Sequence, residues 1–250
     1  MKNVKGSRAK IPDMKDLWLE AFPEDNEFVD VFFRDFYKPS KTLLRYDGDT
    51  LVSMLFWIDV KLKYKKRVFK GAYLYGVATR LFERHAGHFT ALHSEFLETL
   101  RTKKYKFALT LPATDSLFSF YKRLGYTLPL RKTEYTISTL DFEEITAEQA
   151  WEKHLAEYKA SRNGIKLLES REVFLESVKG HSFLGFEGGY FAFYNDGGKY
   201  VMYDVCDPEN KAPSHELVHY ERNAVLFDLD SSFDEELWDK EKPILNFMLN

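Results

Sequence analysis

The chain has 250 residues, 44% of them hydrophobic, which is enough to bury one large core or two smaller ones and excludes a disordered or fibrous protein. Its 36 basic and 39 acidic residues give a net charge of -3 and are mixed along the chain, so nucleic acid is not an expected partner. The lone cysteine, Cys206, has no intramolecular partner and reads as a structural thiol of a reducing compartment. Met1 to Lys10 lacks the apolar run of a secretory signal and no later stretch is apolar enough to span a bilayer, so the expectation is a cytoplasmic protein that does not enter the membrane.

In chain order, Pro12-Asp13 opens a helix over Met14 to Ala21, and Phe28, Val29, Phe32, Phe33 and Phe36 recur at helical spacing over Asn26 to Phe36. Thr42 to Tyr46 and Leu51 to Leu62 form a hairpin around Asp47-Gly48-Asp49, where glycine adopts positive φ without a side-chain clash. Tyr64-Lys65-Lys66 turns the chain into a third strand, Val68 to Thr79. Phe89, Leu92, Phe96, Leu97 and Leu100 then mark an amphipathic helix from Gly87 to about Lys103. Phe107 to Leu111 is a short buried strand. Asp115 to Leu124 is a helix capped by Gly125, and Tyr126 to Leu140 reads as two strands broken at Pro129.

A second unit begins after Leu140, so the expected domains are 1–140 and 141–250. It opens with helices at Thr146 to Ala160 and Arg171 to Val178. Strands follow at His181 to Phe186, Tyr190 to Tyr194 and Tyr200 to Val205, with turns at Gly188-Gly189 and Asp196-Gly197-Gly198. The last residues, Pro243 to Asn250, read as a short apolar strand. The fold class is therefore mixed α/β, a sheet flanked by helices, with a smaller α+β unit after it.

The chemistry-bearing stretch is Tyr73-Leu-Tyr-Gly-Val-Ala-Thr79, then Arg84-His-Ala-Gly-His-Phe89, then a helix. A strand running through a glycine-containing loop into a helix start aims free backbone N–H groups and the positive end of the helix dipole into the loop, which suits a pyrophosphate. Arg84 adds a fixed charge.

These residues resemble the GNAT acetyltransferase superfamily, whose pyrophosphate loop reads Arg/Gln-x-x-Gly-x-Gly/Ala after the strand that lines the coenzyme. Arg84, Ala86-Gly87 and Val77-Ala78-Thr79 carry the first signature. Phe118-Ser-Phe-Tyr-Lys-Arg-Leu-Gly-Tyr126 resembles the second. The order of elements matches over about residues 11–137 and is most similar to bacterial two-domain members that end on a short apolar strand, here Leu245 to Asn250.

The resemblance implies acetyl-coenzyme A as co-substrate and an amine of a small molecule or peptide as acceptor, in a pocket built from the first two helices and the second unit. It implies that the Val77 N–H polarises the thioester carbonyl, with Ala78 and Thr79 beside the coenzyme. Arg84, His85, Ala86, Gly87, His88, Phe89 and Thr90 would hold the pyrophosphate. Tyr121 would protonate the departing thiolate, and the main-chain carboxylate of Asn250 would act as base. Three positions depart from the family pattern: His85 replaces a glycine, Phe89 a small residue, and Thr114, also expected at the coenzyme, a common asparagine.

Two other readings come from the residues. His215-Glu216-Leu217-Val218-His219 matches H-E-x-x-H, which on a helix would put two imidazoles on one face with a glutamate ready to activate metal-bound water, Glu235, Glu236 or Glu241 supplying a third ligand. A non-catalytic binding protein on the same fold would use the aromatic second unit around Phe183, Phe186, Tyr190, Phe191, Phe193 and Tyr194, which otherwise alternates as a sheet core. His85, His88 and His93 fall on different faces and do not suggest a metal site. Lys61 to Arg67 reads as a solvated hairpin.

Overall fold

The computed structural model describes residues 1–23, 26–137, 143–160, 165–196, 199–206, 215–241, 243 and 245, with the backbone alone over 132–137, 194–196, 199–205 and 215–223. Two compact units emerge. Unit 1 comprises Met1–Asp59 and Ala72–Thr110; unit 2 comprises Val60–Gly71 and Leu111–Asn250.

Unit 1 begins with a strand that the polar sequence of the amino terminus does not announce, β1 (Lys2–Lys5), paired antiparallel with β2 (Thr42–Asp47). Between them lie α1 (Ile11–Ala21), with Pro12 in its first turn, and α2 (Asn26–Val31), which runs into a π-helical turn over Phe32–Phe36. β2 turns through Gly48, at φ +55°, into β3 (Thr50–Tyr64), and β4 (Arg67–Thr79) follows after Lys65 and Lys66, both at positive φ. From β4 the chain reaches β5 (Phe107–Thr110) only by way of α3 (His88–Thr102), a helical crossover, and the strand order in this unit is β1-β2-β3-β4-β5.

Every residue of β3 from Leu51 to Trp57 is buried, because both faces of the sheet are covered. Successive side chains alternate between the faces: Phe56 meets Trp18 of α1, ring centroids 5.6 Å apart, while Trp57 meets Phe96 of α3 at 5.5 Å. Trp18 also touches Phe22, Phe32, Phe33 and Tyr75, so the clustered aromatics of α1 and α2 are core residues.

His93, on the sheet side of α3, is 3% exposed, and burial, aided by the Arg101 charge, lowers its pKa to about 4. The unfolded chain therefore binds a proton here between about pH 6.5 and 4 that the folded chain refuses. Stability from this site is complete above the unfolded pKa and is lost as pH falls toward 4, by on the order of 2–3 kcal/mol. Urea midpoints at pH 7 and 4.5 should differ by less in His93→Leu than in the wild type; an equal acid sensitivity would remove His93 as the cause.

Unit 2 contains α4 (Asp115–Arg123), β6 (Leu128–Ile137), β7 (Glu143–Ile145), α5 (Ala147–Ala160), β8 (Ile165–Leu168), α6 (Arg171–Ser177), β9 (Ser182–Phe186), β10 (Gly189–Asp196), β11 (Lys199–Cys206), β12 (His215–Asp228) and α7 (Glu235–Glu241). Its strand order is β12-β6-β11-β10-β9-β7, with β8 on the Lys61–Tyr64 end of β3. α5 starts in a reciprocal cap: the Gln149 N–H donates to Thr146 Oγ1 at 3.2 Å while the Thr146 N–H donates to Gln149 Oε1 at 2.8 Å.

Three sequence expectations change here. β6 is one strand, not two broken at Pro129: proline is its second residue, where a missing N–H costs little, and the Pro129 carbonyl accepts from Trp238 Nε1 at 2.7 Å. The Lys61 to Arg67 stretch is not simply solvated, because β8 pairs with it and Lys63 Nζ donates to the carbonyls of Tyr158 and Lys159 at the end of α5. His215 to His219 belongs to strand β12, hydrogen-bonded in register to β6, so the helix required by the H-E-x-x-H reading is absent; Glu235, Glu236 and Glu241 lie on α7. The sheet-core reading of the second unit's aromatics, by contrast, is kept: Phe183, Tyr190 and Phe191 are buried. Cys206 is buried in the same cluster, its thiol 3.8 Å from the Lys153 carbonyl.

Candidate functional site

The site in unit 1 is built where β4 ends. β4 continues through Gly76, which takes φ +54° inside an otherwise extended run, a left-handed residue of the kind found at bulges. Gly76 and Val77 are partly exposed there although Ala72 to Tyr75 are buried. The close approach is as decisive as the dihedral: a Cβ on residue 76 would lie 2.8 Å from Phe56 Cδ2 and 2.9 Å from Trp18 Cζ3. Beyond Gly76, Ser53 Oγ donates to the Ala78 carbonyl at 2.9 Å and lies 2.9 Å from Thr79 Oγ1, pinning the strand end from β3.

Arg80 then latches the exit of β4. Its N–H donates to the Val52 carbonyl, Nε to Leu51 O at 3.1 Å, and its two terminal nitrogens to Glu20 at 2.6 Å and Asp16 at 2.5 Å, both on α1. Glu20 also accepts the Leu81 N–H at 2.7 Å, and that bond, with the Arg80 charge, holds its pKa below the usual carboxylate value. A single turn of 3-10 helix, Leu81–Glu83, leads to the exposed loop Arg84 to Gly87.

The loop has two left-handed residues, His85 at φ +68° and Gly87 at φ +81°. Gly87 is the N-cap of α3 and offers no side-chain cap; the first intrahelical bond runs from the Ala91 N–H to the Gly87 carbonyl at 3.1 Å. The N–H groups of His88, Phe89 and Thr90 therefore precede the helix's own hydrogen bonding, and no acidic side chain stands in the first turn. With no intrahelical acceptor, these N–H groups stand at the positive end of the dipole of a 15-residue helix, an arrangement that suits an anion. Arg84 is exposed, its Nε 3.4 Å from the Thr79 carbonyl. Phe89 packs along the helix against His93, ring centroids 5.4 Å apart. His88 is buried and its ring is engaged within the protein, so what it offers a ligand is its backbone N–H.

The remaining expected site residues belong to unit 2 or fall outside the described residues. In unit 2, Thr114 is the N-cap of α4, its hydroxyl accepting the Leu117 N–H at 3.3 Å. Tyr121 sits near the other end of α4, 6% exposed, with its ring 5.3 Å from that of Tyr126; burial and the neighbouring Tyr121 raise the Tyr126 pKa well above the ordinary phenol value. Asn250 lies outside the described residues. Sequence reading missed Gly76, Ser53, Arg80 and Glu83; a glycine between Tyr75 and Val77 in a strand was the one available signal.

With this geometry in place, residues 5–128 match the family model described as an acetyltransferase (GNAT) domain. The chain belongs to the GNAT superfamily. Solved structures share its fold: a GCN5-related N-acetyltransferase from Kribbella flavida (15% identity, TM-score 0.66, covering 90% of this chain and 70% of that one) and another from Anabaena variabilis (12%, 0.71, 92% and 73%). Eis1 from Mycobacterium abscessus is similar to the same degree (12%, 0.68, 92% and 74%). No curated protein matches. Membership of the superfamily makes the chain an acyltransferase by class.

Proposed function

We propose that this protein transfers an acetyl group from acetyl-coenzyme A to the amine of a small molecule or peptide. The observation that carries the reading is the uncapped start of α3 immediately after a strand with positive φ at Gly76. In this reading the pyrophosphate takes the N–H groups of Gly87 to Thr90, with Arg84 adding charge at the loop. The acetyl thioester lies along Val77 to Thr79, and the positive φ at Gly76 turns the Val77 N–H to the carbonyl oxygen as negative charge develops on it. The amine lone pair forms the new C–N bond, the C–S bond breaks, and the amine's proton leaves to a base. The sulfur leaves as thiolate and takes a proton from Tyr121. Residues 1–140 form the donor domain in this scheme and 141–250 a smaller second domain.

The first test is thermal unfolding with and without acetyl-coenzyme A: ligand at about 100 times its dissociation constant adds roughly 2.7 kcal/mol of stability. A clear rise supports the reading, and a panel of amines then identifies the acceptor by release of free thiol. Absence of any rise would leave the fold without the reaction. Tyr121→Phe is expected to lower kcat by about 100-fold with little change in the KM for acetyl-coenzyme A, since the hydroxyl acts on the leaving thiolate alone. Steady-state kinetics that show unchanged kcat would take Tyr121 out of the mechanism.

A further inference from the structure

The loop that receives the pyrophosphate in the proposed reading is fastened by a side chain that offers the ligand nothing. His88 is 4% exposed, the first residue of α3. Its Nδ1 accepts from Arg45 Nε at 3.2 Å, so the proton is on Nε2, which donates to Glu83 Oε2 at 2.9 Å. Glu83 closes the 3-10 turn that enters the loop, and His88 opens the helix that leaves it. The hydrogen bond therefore spans Arg84 to Gly87 and joins the two ends of the loop. Arg45 is itself fixed: its terminal nitrogen donates to Asn3 Oδ1 at 2.6 Å, and Asn3 Nδ2 donates to Glu95 Oε2, about two turns further along α3, at 2.9 Å. The relay Glu83-His88-Arg45-Asn3-Glu95 ties the loop to β1 and β2, which explains why the polar amino terminus forms a strand in register with Arg45.

We infer that His88 is a positioning residue for the pyrophosphate, its imidazole clasping the loop across Glu83 and Arg45 and holding the Glu83 carboxylate away from the incoming anion. The clasp has two physical effects. It fixes a four-residue loop that contains a non-glycine left-handed residue, His85, a strained conformation that persists only where the surroundings impose it. It also engages a carboxylate that stands 40% exposed at the mouth of an anion site, where a free negative charge would repel phosphate. This inference rests on the acyl-coenzyme A reading above and adds to it a role for a side chain whose type the loop signature leaves open.

Binding is measured calorimetrically for two acyl donors on the full chain: acetyl-coenzyme A, and S-acetylpantetheine, which has the same thioester arm and no pyrophosphate. His88→Leu is expected to weaken acetyl-coenzyme A by at least about tenfold, as misplacement of donor groups does, and to leave S-acetylpantetheine unchanged. His88→Gln, which restores a donor toward Glu83, is expected to recover much of the loss. Adding Glu83→Gln to His88→Leu is expected to recover part of it by removing the repelling charge. Because His88→Leu opens a buried polar site and can fail to fold, His88→Gln and Glu83→Gln are measured alone as well; the inference requires both to stay within a few-fold of the wild type. Equal weakening of both donors, or unaltered binding of acetyl-coenzyme A by His88→Leu, overturns the clasp. A wild-type protein that binds neither donor overturns the acyl-coenzyme A reading itself.

Discussion

Gly76→Val is expected to lower the melting temperature by about 6–12 °C, corresponding to roughly 3 kcal/mol for a chain of this size. Two costs combine. Residue 76 has φ +54°, which a β-branched residue reaches only with strain, and its Cβ would stand 2.8 and 2.9 Å from the rings of Phe56 and Trp18. Neither ring can retreat, since both are at most 2% exposed and packed among other aromatics. Gly48→Val is the control: φ is +55° but nothing lies within 4 Å of the added Cβ, so only the backbone cost remains, about 1–2 kcal/mol. Calorimetry of the two variants separates strain from packing; equal melting temperatures would mean that the rings yield. If Gly76→Val folds by giving up the positive φ, the backbone at Val77 is redirected and kcat should fall with it.

Thr90→Glu should move stability and coenzyme affinity in opposite directions. Thr90 is exposed at the third position of α3, whose first turn has no acidic residue and whose leading N–H groups lack intrahelical partners. A carboxylate there complements the helix dipole and adds about 0.3–1 kcal/mol to the unliganded protein. The same charge occupies the donors intended for the pyrophosphate and repels it, so the dissociation constant for acetyl-coenzyme A should rise by about 30-fold or more, and the penalty should shrink in high salt. A variant that is more stable and binds acetyl-coenzyme A unchanged would show that the ligand's phosphates do not use this helix end.

The helices α1, α3, α4 and α5 and the hairpin β2-β3-β4 were legible because their periodicities are strong and their punctuation is local: Asp47-Gly48, Gly87 and Gly125 each sit where a positive φ is needed. The left-handed Gly87 and the helix start behind it were legible for the same reason, since a glycine between strand and helix leaves the same first-turn N–H groups without intrahelical acceptors whatever surrounds it. β1, β7 and β8 were not, being three or four residues long and polar or mixed, with no signal beyond the partner strand that recruits them. The H-E-x-x-H match misled because five residues fix neither helix nor strand; the pairing of β12 with β6 decided it.

For the candidate site the division follows the range of the forces involved. The sequence by itself determined the residue types at the strand end, the loop glycine, the helix start and the Tyr121 signature, all features of contiguous chain with local backbone consequences. Only the tertiary structure decided that Gly76 packs against Phe56 and Trp18, that Arg80 latches β4 to Asp16 and Glu20, and that His88 turns inward to Glu83 and Arg45. These contacts join residues separated by 5 to 64 positions, and their burial and hydrogen-bond partners come into being only when the sheet and its helices close on one another.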